Sequence, residues 1–312
     1  MVVVTSNIQN WKQRKAIRDS WGLWLNGVSD INSMSMNHQL ASVLADDDRI
    51  GLKSTTEDIG RLETSNKSKV TSSFAQLNAT LKFKLVFLLG REIESNQLSE
   101  EISQEQNMNG DLLVEDFIDS YQNLTIKSCF ILKYVQDKCP GVKFVAKIDD
   151  DVFLHIPNLL NMLLDKSLPE KLMLGFRLCN RLPIRNPSSK WYSPNHMFAG
   201  AIYPNYLSGS SYIISGNIIS QLLEAALVTP LFHMEDVYVT GILAASIRVH
   251  PINHISLFHP LRTISPCHFK VSVLRPWALK NFFSSVAFRH VISPRRVSRN
   301  DNSVLLIHLV KE

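Results

Sequence analysis

The chain has 312 residues, 45% of them hydrophobic and 20% charged, which is ample apolar material for one large domain or two smaller ones. Its net charge of +5 favours anionic ligands in general. No dense Lys/Arg stripe with interleaved aromatics points to nucleic acid, and the arginines at 289, 295, 296 and 299 read as a surface segment. No apolar run approaches the roughly 20 residues of a membrane span. The opening residues 1–6 are too short for a signal peptide and read instead as a first strand. Cys129, Cys139, Cys179 and Cys267 lie far apart without C-x-x-C spacing, so they permit one or two disulfides but argue against a zinc site.

In chain order, residues 2–6 predict a strand and residues 13–21 a short basic helix. Residues 23–81 are rich in Ser, Thr, Asn and Asp without a sustained period, which predicts a long loop or disordered insertion. The run at 83–90 reads as a buried strand with a terminal glycine, followed by an acidic helix over 92–105. A further helix is expected over 117–138, capped by Asp119 or Ser120, with Tyr121, Leu124, Ile131, Leu132 and Val135 at helical spacing. Pro157 suits the first turn of a helix carrying Leu159, Leu160, Leu163 and Leu164. Pro204 and Gly209 predict a turn surrounded by tyrosines over 203–212, and Ser215 caps another helix. Strands alternating with helices imply an α/β fold with a largely parallel sheet. Sequons at Asn66, Asn78 and Asn123 matter only if the chain enters the secretory pathway.

The most informative stretch is the apolar strand at 142–148 that runs into Asp149, Asp150 and Asp151 and resumes as an apolar run. Three adjacent carboxylates repel one another and resist burial unless a cation neutralises them. In an extended chain Asp149 and Asp151 project to one side and Asp150 to the other. Carboxylate oxygens suit hard cations such as Mg²⁺ or Mn²⁺, and a strand end holding one is a natural diphosphate site. A charged turn is the plain alternative. Asp46, Asp47 and Asp48 form a second triple, but among polar residues with no strand before it, so it reads as a solvated charge run. A second cluster, Glu235 and Asp236, opens an apolar helix, where the helix dipole alone favours acids. The sharper reading makes one of them a general base at a pocket rim.

Several segments, in order, resemble the β-1,3-galactosyltransferase and β-1,3-N-acetylglucosaminyltransferase superfamily, glycosyltransferase family 31. They are 14–21 (an R-x-x-I-R-x-T-W-like block), Glu105 with 110–127, the K-x-D-x-D-V-F-like run at 147–153, Lys190-Trp191-Tyr192, 203–212 and 235–239. The match covers about residues 1–22 and 83–268. The resemblance implies a GT-A-like nucleotide-sugar transferase fold, with a mostly parallel sheet flanked by helices. It implies a single catalytic domain over 1–280, interrupted at 23–82, with 281–312 unassigned. Also implied is a membrane-anchored enzyme of the Golgi lumen that moves galactose or N-acetylglucosamine from a UDP-sugar to a glycan acceptor on glycoprotein or glycolipid. The linkage would be β-1,3, formed with inversion, and the cofactor Mn²⁺, with Mg²⁺ as the alternative. Carried over by position, Asp236 is the base, and Asp151, Asp149 and His259 belong to the metal site. Arg14, Arg18, Lys147, Asp149 and Asp150 fall on the donor side. Lys190, Trp191, Tyr192, Tyr206, Gly209 and Glu235 are acceptor-side or structural.

The sequence also departs from the family. The segment between Trp21 and Phe83 is far longer than usual, and Leu207 stands where the family often has a cysteine, leaving the partner of Cys139 open. After Cys267 only Arg275-Pro276-Trp277 follows the family pattern, and no membrane anchor is present. These departures sustain an alternative, a non-catalytic descendant that binds UDP-sugar or glycan. A metal-dependent phosphoryl-transfer enzyme, outside the family, lacks a phosphate-loop glycine motif.

Overall fold

The computed structural model describes residues 1–27, 83–91, 100–254 and 274–276. Among them the strands are β1 (Val2–Thr5), β2 (Leu85–Arg91), β3 (Leu112–Ile118), β4 (Phe144–Asp149), β5 (Val152–Leu154), β6 (Met173–Leu178), β7 (Tyr206–Ser215), β8 (Ile252–Asn253) and β9 (Leu274–Pro276). Seven of them form one sheet in the order β3-β2-β1-β4-β7-β6-β8. The β3-β2-β1-β4 half is parallel, while β7 runs antiparallel to both β4 and β6. The α/β architecture expected from the sequence is therefore observed, with the antiparallel β7 inserted beside the acid-bearing strand. β5 and β9 pair separately.

Period-two alternation sends each strand's side chains into two cores. Val2, Val4, Phe87, Leu89 and Ile148 pack with α1 (Trp11–Arg18), α2 (Trp21–Gly27) and α5 (Ile156–Leu163) through Ile17, Trp21 and Leu159. Val3, Leu88, Val145 and Ile214 face the other way, toward α4 (Leu124–Lys138) and α6 (Ile219–Val228) through Ile131, Leu132 and Leu222. α3 (Glu100–Asn109) adds Ile102 to the first core. No helix among the described residues is long and apolar enough to cross a membrane.

Several boundaries differ from expectation. The basic helix is Trp11–Arg18, and a second helix, Trp21–Gly27, occupies the first residues of the expected loop over 23–81; the rest of that loop lies outside the described residues. The acidic helix is Glu100–Asn109, and residues 92–99 lie outside the description. The helix expected from residue 117 starts at Leu124, after a 3₁₀ turn at Tyr121–Asn123, because Phe117 and Ile118 complete β3. Asp119 does not cap it but pairs with Lys127. The expected turn over 203–212 is mostly strand: Tyr212, Ile213 and Ile214 are strand formers paired on both sides, and Gly209 lies between the paired residues 206–207 and 211–215. Ser215 does not cap its helix either. Its hydroxyl accepts from Leu172 N–H at 2.8 Å and donates to Asn217 at 2.7 Å. Pro157 sits in the first turn of α5 as expected.

Candidate active site

The acids gather at the carboxyl ends of β1 and β4, where α/β sheets place their ligands. Asp149 Oδ1 accepts hydrogen bonds from Thr5 Oγ1 at 2.8 Å and Lys147 Nζ at 2.6 Å. Asp150 Oδ2 accepts from Ser6 Oγ at 2.6 Å and Asn10 Nδ2 at 2.8 Å. Asp151 is the exposed member. Desolvation, then the charges of Asp149 and Asp150, hold its carboxyl above its ordinary range. A bound cation would reverse that shift.

An all-oxygen donor set with mutual repulsion fits Mg²⁺ or Mn²⁺, ions that take one or two carboxylates and complete their shell with phosphate oxygens and water. Among the described residues no group of three or more His, Cys, Asp or Glu converges as a full cage. His259, expected to complete the set, lies outside the described residues, as does Cys267. The other three cysteines are free.

The second half of the site is built by β7 and the helix that starts at Glu235. That helix passes through a π-helical turn at Tyr238–Leu243, a local expansion frequent near functional sites. Glu235 is buried; its Oε1 accepts from Ser128 Oγ at 2.8 Å and Tyr212 Oη at 2.5 Å. Its neighbour Asp236 is half-buried, accepting from Val237 N–H at 2.9 Å and from the Gly209 amide. Burial and the adjacent Glu235 push the Asp236 carboxyl up to about 6, against the opposing effect of those amides and Lys147. A carboxylate with that pKa is ionised at neutral pH yet basic enough to take a proton.

Gly209 brings the β7 backbone close to Asp236. A Cβ at this position would lie 3.3 Å from Asp236 Cβ and 3.5 Å from its Oδ2, so the strand backbone is flush against the carboxyl.

Lys190, Trp191 and Tyr121 form an open shelf on the Asp236 side of the site. The Lys190 ammonium lies 4.6 Å from the Tyr121 ring centroid and 5.7 Å from that of Trp191. Trp191 is 50% and Tyr121 39% exposed, unusual for rings that could pack in the core. The Tyr121 hydroxyl is held above its usual range by burial and then by the charge of Asp236, which puts the shelf within electrostatic reach of that carboxyl. Tyr121 was read from the sequence only as one of the apolar positions of a helix. Its exposure follows from the short 3₁₀ turn, which local periodicity does not signal. Tyr192 is half-buried in a bridge with Ile184. Tyr206 is buried with its ring edge-on to Tyr203, so it packs rather than presenting a face to a sugar.

Three expected donor-side cations are placed differently. Arg14 is fully buried and directs its guanidinium at Glu105 (2.8 and 2.7 Å), Ser6 Oγ, Asn7 O and Ile8 O, leaving no free donor for a phosphate. Arg18 pairs with Asp111 at 2.7 and 2.8 Å and with Glu105 at 2.8 Å. Both arginines thus hold α1 to α3 and to the turn before β3. Lys147 is buried among Asp149, Glu235 and the Gly209 carbonyl rather than reaching out to a ligand. Lys127 closes the floor, donating to Asp119 at 2.8 and 2.9 Å and to Ser6 O at 2.5 Å. Among the described residues the roomier cavity, about 630 Å³, lies at the opposite end of β4 beside Cys139, Lys143 and Ser215, away from these acids.

Residues 66–255 match the family model described as Galactosyltransferase. The chain is 35% identical over 191 residues to beta-1,3-galactosyltransferase 1 of Homo sapiens and of Mus musculus, covering 61% of this chain and 58% of each relative. It is 31% identical over 215 residues to beta-1,3-galactosyltransferase 5 of Homo sapiens, covering 66% of this chain and 68% of that one. The chain therefore spans somewhat more than half the length of the first of these relatives. Among solved structures, a glycosyltransferase involved in the glycosylation of the major capsid of PBCV-1 aligns with 14% identity and a TM-score of 0.32, over 67% of this chain and 98% of that one.

Proposed function

The chain belongs to the galactosyltransferase family, and we propose that it transfers a hexose from a UDP-sugar to a hydroxyl of a glycan acceptor, forming a β-1,3 bond with inversion. The names of its relatives favour galactose as the hexose. The observation that carries this reading is Asp236: a half-buried carboxyl with a pKa of about 6, fixed by two backbone amides beside an open aromatic shelf. Inversion is a single displacement, so one well-placed base suffices. Asp236 takes the proton from the acceptor hydroxyl as that oxygen attacks the anomeric carbon and the bond to UDP breaks. Trp191 and Tyr121 offer rings on which an acceptor sugar stacks, and Lys190 lies alongside to donate to its hydroxyls.

Asp149 and Asp151, with His259 by resemblance, would hold Mn²⁺ or Mg²⁺, and Asp150 lies on the same donor side. Such an ion, when bound, stabilises the negative charge of departing UDP. Lys147 and Thr5 orient the Asp149 carboxyl for that role through hydrogen bonds to its Oδ1. A lumenal Golgi setting is proposed from the family resemblance alone.

The test is UDP release by the purified protein with and without Mn²⁺, across UDP-sugars and simple galactoside and hexosamine acceptors. Metal-dependent, acceptor-stimulated release with one donor supports the proposal and names the sugar. Silence from folded protein that still binds UDP overturns it in favour of a binding-only family member.

A further inference from the structure

Lys147 lies at the centre of the site without facing the solvent, and its three oxygen neighbours belong to both halves. Its ammonium is 2.6 Å from Asp149 Oδ1 on its own strand and 2.5 Å from the Gly209 carbonyl on β7. The third oxygen, Glu235 Oε2, is 3.8 Å away. Gly209 in turn is packed flush against Asp236, and its amide donates to that carboxyl. A continuous chain of contacts thus runs from Asp149 through Lys147 and Gly209 to Asp236. It crosses from the parallel half of the sheet to the antiparallel half, at the pairing of β4 with β7.

We infer that Lys147 is a positioning residue that clamps Gly209 of β7 against Asp236 while holding Asp149, so that one buried ammonium sets the separation of the donor-side acid and the base. The inference rests on the reading of Asp236 as the base. A side chain that binds donor directly would be lost with UDP affinity. One that clamps is lost with turnover instead, because small misplacements of a reacting group carry large rate penalties.

The experiment compares the unaltered chain with Lys147→Met and with the pair Lys147→Met/Glu235→Gln. The pair removes the carboxylate that the single change would leave buried without its cation, so it keeps the test open if the single variant fails to fold. Three readouts are taken: UDP affinity by calorimetry, kcat, and the ¹⁵N-glycine amide resonance of Gly209 followed against pH, which reports Asp236 ionisation without any turnover. The groups that face Asp236 are Glu235, Lys147, Tyr121, Tyr203 and Tyr206. The tyrosines are neutral in this range and the pair removes Glu235, so a Glu235→Gln control separates its contribution from that of Lys147.

We expect kcat to fall by roughly tenfold or more with UDP affinity within about threefold of the unaltered chain, and the Gly209 amide to shift and lose its coupling to Asp236. An unmoved Gly209 resonance with unchanged kcat overturns the inference, as does a loss confined to UDP affinity. If the unaltered chain is silent with every donor, the proposed function fails, and the Gly209 resonance still decides whether Lys147 holds this strand to Asp236.

Discussion

Two clusters of charge buried among the described residues are built on opposite plans. Around α1, Arg14 and Arg18 face Glu105 and Asp111, two cations against two carboxylates, each within hydrogen-bond reach of its partner. Burial alone would raise the Glu105 carboxyl, but the two arginines hold it below its ordinary range. At the other cluster Asp149, Glu235 and Asp236 all act on one ammonium, that of Lys147, and Asp236 ends above its ordinary range. A balanced cluster lowers its own free energy and does nothing else. An unbalanced one stays poised to gain a proton or a cation, which is how perturbed groups come to mark functional sites. The two are physically joined, since Arg14 fixes the Ser6–Ile8 loop and Ser6 holds Asp150.

The sharpest way to break this comparison is Asp236→Asn. Transfer should fall by about two to four decades in an initial-rate assay while UDP binding persists. The same variant should be more stable, not less. The folded-state pKa of about 6 exceeds the unfolded value of roughly 4, so the native carboxyl holds its proton longer than the unfolded one. Stability from this group is present at low pH, is lost as pH rises from about 4 to 6, and stays lost above. Asparagine, which never ionises, should therefore raise stability by roughly 2 kcal/mol at pH 7 and by nearly nothing at pH 4 in urea unfolding. Equal effects at both pH values would sink the account of Asp236.

Arg14→Met should do the opposite. It strips a fully buried guanidinium from Glu105 and should cost about 3–5 kcal/mol of unfolding free energy. A variant of unchanged stability with weakened UDP binding would return Arg14 to the donor side.

Glu235→Gln sharpens the contrast by relaxing only the crowding. Gln can still accept from Ser128 and Tyr212, but the like charge beside Asp236 is gone, so the acid limb of the rate profile, near pH 6 in the unaltered chain, should move to lower pH. A limb that stays in place would assign it to another group. The smallest effect is expected from Trp191→Ala. Losing one ring of the shelf should raise acceptor KM by about three- to tenfold, the worth of a single aromatic contact. Donor KM should not change.

Much of this was legible in the residues. The apolar runs at 2–4 and 85–89 announce strands buried on both faces, and Asp149 to Asp151 after an apolar strand announce acids gathered at a strand end. Glu235 and Asp236 stood out as a pair, but the sequence gives them equal standing. The fold makes one a buried anchor for Tyr212 and Ser128 and leaves the other half-open beside Gly209. Gly209 itself signals a turn, and only the fold shows its close approach to Asp236.

The sequence by itself determined the buried strands β1, β2 and β4, the helices α4, α5 and α6, the acid triple at the end of β4 and the family resemblance, because periodicity and motif are properties of neighbouring residues. Only the tertiary structure decided which charges are satisfied. Arg14 meets Glu105 91 positions away and Lys147 meets Gly209 62 positions away, and those encounters turn three expected donor-side cations into structural ones. A charge is defined by what lies within a few ångströms of it, and chain folding, not chain order, sets that distance.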